Sequence, residues 1–188
     1  MHRRLILFGS LAVVLIGVLV AVALSSRVVP PTATTALPVA HIEPGQMAPP
    51  FQISSTAGPF DIRTLHRPLL LELFASWCPH CRREVTVLNR IYHDDAARLA
   101  MLAVSASPYA ADGLSPETQA DVVLFAEQLG VTYPIAYDPN LDVAHAYLSG
   151  GYPTIILIDR HGRIVSTHHG EESEAELRRR IEAAVARK

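Results

Sequence analysis

Three kinds of hydrophobic pattern alternate along the chain. The first is Leu5 to Leu24, a run of twenty residues without a charge. A helix needs about 20 apolar residues to cross the hydrocarbon core of a bilayer, so this run predicts a transmembrane helix. The second is the short, nearly continuous apolar segment, found at Leu69 to Ala75, Leu99 to Ser105 and Thr154 to Ile158. Such segments predict strands buried on both faces, as in a sheet covered by helices above and below. The third is apolar spacing of three and four residues, the signature of a helix with one buried face. It puts Val85, Leu88, Ile91 and Tyr92 on one helix, Val122 to Leu129 on a second, Val143 to Leu148 on a short third and Leu177, Ile181 and Val185 on a last one.

Between these lie the punctuating segments. Phe51 to Ile53 and Phe60 to Ile62 alternate apolar and polar residues around Gly58-Pro59, which predicts a hairpin turning there. Gly130 is placed to end the second helix. Pro108 to Pro116 is a loop, Pro134 to Tyr137 a short strand, and Gly150 to Pro153 a turn. Asp159 to Gly162 is a second turn, from which Arg163 to Thr167 returns as a hairpin partner. Strands alternating with helices predict an α/β domain, a central sheet with helices on both faces. There are no internal repeats. Residues 1–27 are expected to be a membrane anchor, 28–44 an extended linker rich in Pro, Thr and Ala, and 45–188 the globular domain.

Charge decides the orientation of the anchor. Arg3 and Arg4 precede the apolar run and the next positive residue is Arg27, so the positive-inside rule keeps the N-terminus in the cytoplasm and exports the domain. A cleavable signal peptide is the competing reading, and Ala21-Val22-Ala23 offers a cleavage site. Its apolar core, however, usually spans about 7–15 residues, and the longer run here favours an uncleaved anchor. A formal net charge of -2 gives no argument for nucleic acid.

The protein has two cysteines, and both stand in Glu72-Leu-Phe-Ala-Ser-Trp-Cys-Pro-His-Cys81. A C-x-x-C where a strand runs into a helix is a redox motif with a mechanism. Cys78 falls at the helix N-terminus, where unpaired N–H groups and the helix dipole favour the attacking thiolate. Cys81, one turn on, is close enough to close the ring and expel a mixed-disulfide partner. A purely structural role is disfavoured, because so small a ring removes little entropy from the unfolded chain. Zinc needs about four ligands, and neither a second C-x-x-C nor an H-x-x-x-H is present. Copper(I) is satisfied by two thiolates, with Met47 or His80 as further donors, so a metallochaperone is an alternative.

Trp77-Cys-Pro-His-Cys81 after an apolar strand, and Gly151-Tyr-Pro-Thr-Ile-Ile-Leu-Ile-Asp159 about seventy residues later, resemble the thioredoxin fold. The Gly45-Gln-Met-Ala-Pro-Pro-Phe51 opening and the extra segment after the second buried strand resemble its TlpA/ResA branch, membrane-anchored extracytoplasmic disulfide reductases. The resemblance covers roughly residues 45–185 and implies a mixed central sheet. It implies that Pro153 is a cis proline facing the cysteines and that Tyr152 docks a substrate segment as an added strand. Trp77, Pro79 and His80 would complete the substrate surface. Glu84 matches the Cys-x-x-Cys-x-x-Glu pattern of the branch, and Glu72 stands where thioredoxins carry a buried acid; either could take the proton of Cys81. Thr86 replaces a proline common in the branch, which puts its helix kink in doubt.

Pro79-His80 matches the dipeptide of DsbA, a strong oxidant, whereas the frame implies a reductase. A histidine that stabilises the thiolate raises the potential. The opening segment is shared with peroxiredoxins, but the paired cysteines after Trp77 argue against a peroxidase. No dissociable cofactor is expected. Expected partners are protein thiols and disulfides, among them apocytochrome c or a copper-centre protein, and a membrane electron donor. The expected location is the inner membrane of a bacterium, with the domain on the periplasmic side.

Overall fold

The computed structural model describes residues 41–187. The expected anchor at Leu5 to Leu24, and most of the expected linker, lie outside the described residues. Among the described residues no helix is long and apolar enough to cross a membrane.

Among the described residues, seven strands form one mixed sheet: β1 (Gln52–Ser55), β2 (Gly58–Asp61), β3 (Leu69–Phe74), β4 (Ala100–Ser105), β5 (Ile135–Tyr137), β6 (Thr154–Ile158) and β7 (Ile164–His169). They are ordered β2-β1-β5-β4-β3-β6-β7. The central strands β3 and β4 run parallel, while β6 is antiparallel to β3. The continuous apolar runs are explained by burial on both faces: every residue of β3, β4 and β6 is buried. Side chains alternate across the sheet. Leu70 and Phe74 join the cores of α1 (Pro79–Asp95), α2 (Gln119–Leu129) and α4 (Glu174–Val185) on one face. Leu69, Leu71 and Leu73 pack with α3 (Asp142–Tyr147) and the β1–β2 hairpin on the other.

Helix α1 runs unbroken from Pro79 to Asp95, so the missing proline at Thr86 goes with an uninterrupted helix here. Thr118 caps α2 in a reciprocal capping box with Asp121. Gly130 ends it in the left-handed conformation, φ 62°, which a side chain would disfavour. The hairpin differs from expectation. Ser55 pairs with Gly58, so the turn is Thr56-Ala57 and Gly58-Pro59 opens β2 instead. Proline is tolerated there because β2 is an edge strand, with one side free of ladder partners.

Before the sheet begins, Gly45 donates its N–H to the Ile164 carbonyl and Ala48 to that of Gly162, stitching the opening segment to the start of β7. Leu88 is wholly enclosed in the core beneath α1. Leu88→Ala is expected to lower the unfolding free energy by about 2–5 kcal/mol, read from the urea midpoint. Leu124→Ala, on an exposed face of α2, should change it by no more than about 0.5 kcal/mol.

Candidate active site

Strand β3 ends at Phe74 and the chain turns through Ala75-Ser76-Trp77 before α1 begins. Cys78 is the N-cap of α1, with no side-chain capping bond, and Pro79 occupies the first turn, where its missing N–H costs nothing. The thiol of Cys78 donates to the Tyr152 carbonyl at 3.6 Å, a reach suited to sulfur. The Tyr152–Pro153 bond is cis. Both cysteines are free, and Cys81 is fully enclosed, with 0 % exposure against 4 % for Cys78. Burial, and then the nearby Glu72, hold the Cys81 thiol far above the ordinary thiol range; a backbone hydrogen bond from Ala75 pulls the other way.

Glu72 does not reach water at a sheet edge. It lies on the central strand between Ala103 of β4 and Ile155 of β6 and is 2 % exposed. Desolvation, helped by the charge of Glu84, pushes its carboxyl up to about 8. The Tyr133 hydroxyl donates to its Oε2 at 3.4 Å and partly offsets this. Nor is Glu84 a solvated helix residue beside Arg82 and Arg83, being 2 % exposed. Its Oε2 accepts the N–H of Glu172 at 3.4 Å, and Oε1 has no hydrogen-bond partner among the described residues. Desolvation pushes it up to about 7. Two carboxyls with proton affinities near neutrality thus accompany a buried thiol, a set that can accept and release a proton near pH 7.

The rim is held by polar contacts that sequence patterning does not reveal. Trp77 is 39 % exposed; its indole N–H donates to Ser107 Oγ at 2.8 Å and its ring meets Tyr152 edge-on at 5.6 Å. The Tyr152 hydroxyl donates to the Ala106 carbonyl at 2.7 Å. Ser76 and Ser105 both donate to the buried Glu117 carboxylate, the former at 2.6 Å. Gly170, with φ 85°, turns the chain after β7 so that its N–H meets the Pro153 carbonyl at 2.8 Å. The next residue, Glu171, contacts His80 Nδ1 at 2.5 Å and accepts from Arg83.

Cys78, Cys81, Pro79, His80, Trp77, Tyr152, Pro153, Glu72 and Glu84 therefore come together. Ser107, Glu117, Tyr133 and Glu171 were missed. They sit in loops whose polar residues read as solvated turns and helix entries, and no spacing ties them to the cysteines. Met47 does not join them. It pairs with Arg163 beside Gly162, at the end of β6 opposite to Thr154, so it cannot assist a copper ion at Cys78. Among the described residues no three His, Cys, Asp or Glu side chains gather as a metal site.

The redoxin family model matches residues 43–184. The thiol-disulfide oxidoreductase ResA of Geobacillus thermodenitrificans is 29% identical over 142 residues, covering 74% of this chain and 76% of that protein. The thioredoxin-like protein YneN of Bacillus subtilis is 26% identical over 145 residues, 75% of this chain and 80% of that one. Among solved structures, a Chlorobium tepidum protein assigned as the thiol:disulfide interchange protein DsbE superposes with a TM-score of 0.68 at 25% identity, covering 77% of this chain and 99% of that one.

The raised proton affinity of Glu72 has a consequence for stability. The folded protein holds this proton up to about pH 8, whereas the unfolded chain releases it near 4.5. Stability from this group is thus full below the lower value and is lost as pH rises through the higher one. Glu72→Gln, which cannot ionise, should lose less stability than the parent between about pH 5 and 9. Urea unfolding across that range checks this, and parallel curves for the two proteins would refute it.

Proposed function

The chain belongs to the redoxin family and is a thiol-disulfide oxidoreductase of the ResA and thioredoxin-like type, and from that premise we propose that it is an extracytoplasmic, membrane-anchored protein disulfide reductase. The observation that carries the proposal is the placement of the two thiols. Cys78 caps α1 against the Tyr152 carbonyl beside cis-Pro153, and Cys81 lies enclosed above Glu72.

In the proposed reaction the Cys78 thiolate attacks a substrate disulfide, one substrate sulfur leaving as a thiol and the other remaining joined to Cys78. Cys81 gives up its proton to whichever of Glu72 and Glu84 is ionised, the acceptor becoming a neutral acid as Cys81 becomes the thiolate. It then attacks Cys78, closing the Cys78–Cys81 disulfide and releasing the second substrate thiol. The Tyr152 backbone and cis-Pro153 would hold the substrate segment as an added strand, with Trp77, Pro79 and His80 lining it. A membrane electron donor returns two electrons and two protons to the disulfide.

The arginines Arg3 and Arg4 before the Leu5 to Leu24 run support anchoring with the domain outside the cytoplasm. The relatives are thiol-disulfide oxidoreductases by name, and the resemblance of the sequence to the TlpA/ResA branch favours the reducing direction. Apocytochrome c and copper-centre proteins are the proposed substrates. Disulfide donation is the second reading, and Pro79-His80 is what favours it.

Cys78→Ser is expected to abolish insulin reduction in the presence of dithiothreitol, while Cys81→Ser should accumulate mixed disulfides visible on non-reducing gels. Full activity in Cys78→Ser would sink the mechanism. The reduction potential of the couple should lie near that of thioredoxin, about -270 mV, rather than that of DsbA, about -120 mV. Equilibration with glutathione or dithiothreitol measures it, and a value at the DsbA end would make the protein an oxidant.

A further inference from the structure

His80 is the one residue that speaks for an oxidant, and its surroundings bear on what it can do. Its Nδ1 lies 2.5 Å from Glu171 Oε1 and 2.9 Å from Arg83 Nη2. Arg83 donates from Nε to both Glu171 oxygens, at 3.0 and 3.1 Å, and from Nη2 at 2.5 Å. Nδ1 either donates to the carboxylate or accepts from the guanidinium. In both cases that nitrogen is committed to the cluster and not to sulfur.

Glu171 is delivered to this place by two backbone bonds on either side of it. The Gly170 N–H is on the Pro153 carbonyl and the Glu172 N–H is on Glu84. Glu172 itself pairs with Arg180, leaving Glu171 as the anion for His80 and Arg83. Its carboxyl is held down at about 2, chiefly by Arg83 and then by His80, so it is ionised wherever the protein works. Arg83 in turn lies within electrostatic reach of the Cys78 sulfur.

We propose that Glu171 is a positioning residue that ties down His80 and neutralises Arg83, keeping a DsbA-like dipeptide on the reducing side of the scale. This rests on the reductase reading above. The relevant exchange is between the dithiol and oxidised glutathione. The Cys78–Cys81 bond forms, the glutathione S–S bond breaks, and two electrons and two protons pass to give two glutathione thiols. Only the reduced protein can place a thiolate at Cys78, so a cation there stabilises the reduced form and makes the disulfide a stronger oxidant. A carboxylate that cancels that cation does the opposite.

The test is the equilibrium with glutathione for the parent, Glu171→Gln, His80→Ala and the double variant. Because His80, Arg83 and Glu171 are all exposed at the rim, these proteins are expected to fold like the parent. Glu171→Gln should lower the equilibrium constant for oxidation by about tenfold, equivalent to about 30 mV toward the oxidising end. The effect of Glu171→Gln should shrink when His80 is already Ala. A Glu171→Gln constant within twofold of the parent, or one shifted the other way, overturns the inference even if the parent sits near thioredoxin. A parent potential at the DsbA end overturns the reductase reading instead.

Discussion

Burying a carboxyl on the central strand is the constraint around which the rest of this domain is arranged. Glu72 has strands on both sides and a helix above, so water cannot relieve its charge. Its neighbours answer with a single hydroxyl, that of Tyr133, whose own proton is held tightly by burial and which therefore remains a donor. The result is a carboxyl that keeps its proton through neutrality, within electrostatic reach of a thiol that does the same. A proton leaving Cys81 in the proposed reaction would meet the buried carboxyls of Glu72 and Glu84 before solvent.

The enclosure also separates the two thiols. Both sit within one helical turn, yet Cys78 lies at the cap, with the Tyr152 carbonyl before it and the exposed Trp77 beside it. Two loops hold that opening in place. The loop after β4 supplies Ala106, Ser107 and Glu117, which fix Tyr152, Trp77 and Ser76 respectively. The loop after β7 supplies Gly170 against Pro153. Each contact is a polar bond made by a short or half-buried group, and each joins segments at least 17 residues apart in the chain. The rim is therefore rigid through long-range hydrogen bonds and not through its own local structure.

This explains what was legible beforehand. Apolar periodicity reports burial, so the three central strands and the four helices were found with ends displaced by a few residues. The Cys-x-x-Cys carried its own chemistry, and Glu72 stood out because an acid amid Leu69-Leu-Leu71 and Leu73-Phe74 has no other reason to be there. The turn of the first hairpin was misplaced because Gly58-Pro59 is a strong turn signal, and only an edge strand tolerates it. Glu117, Tyr133 and Glu171 carry no periodic signal at all. Their partners are chosen by topology, which brings the ends of β4, β6 and β7 toward the head of α1.

Pro79-His80 shows why a dipeptide is an insufficient guide to potential. What a cation does for a thiolate falls with distance and with every countercharge between them. Arg83 is half exposed, so solvent and salt already weaken its charge. Glu171, 91 residues from His80 in the chain, then supplies the countercharge. The same two letters between two cysteines can therefore belong to different redox regimes, decided by an acid that follows the edge strand β7. Direction of electron flow is in this sense a tertiary property of the fold.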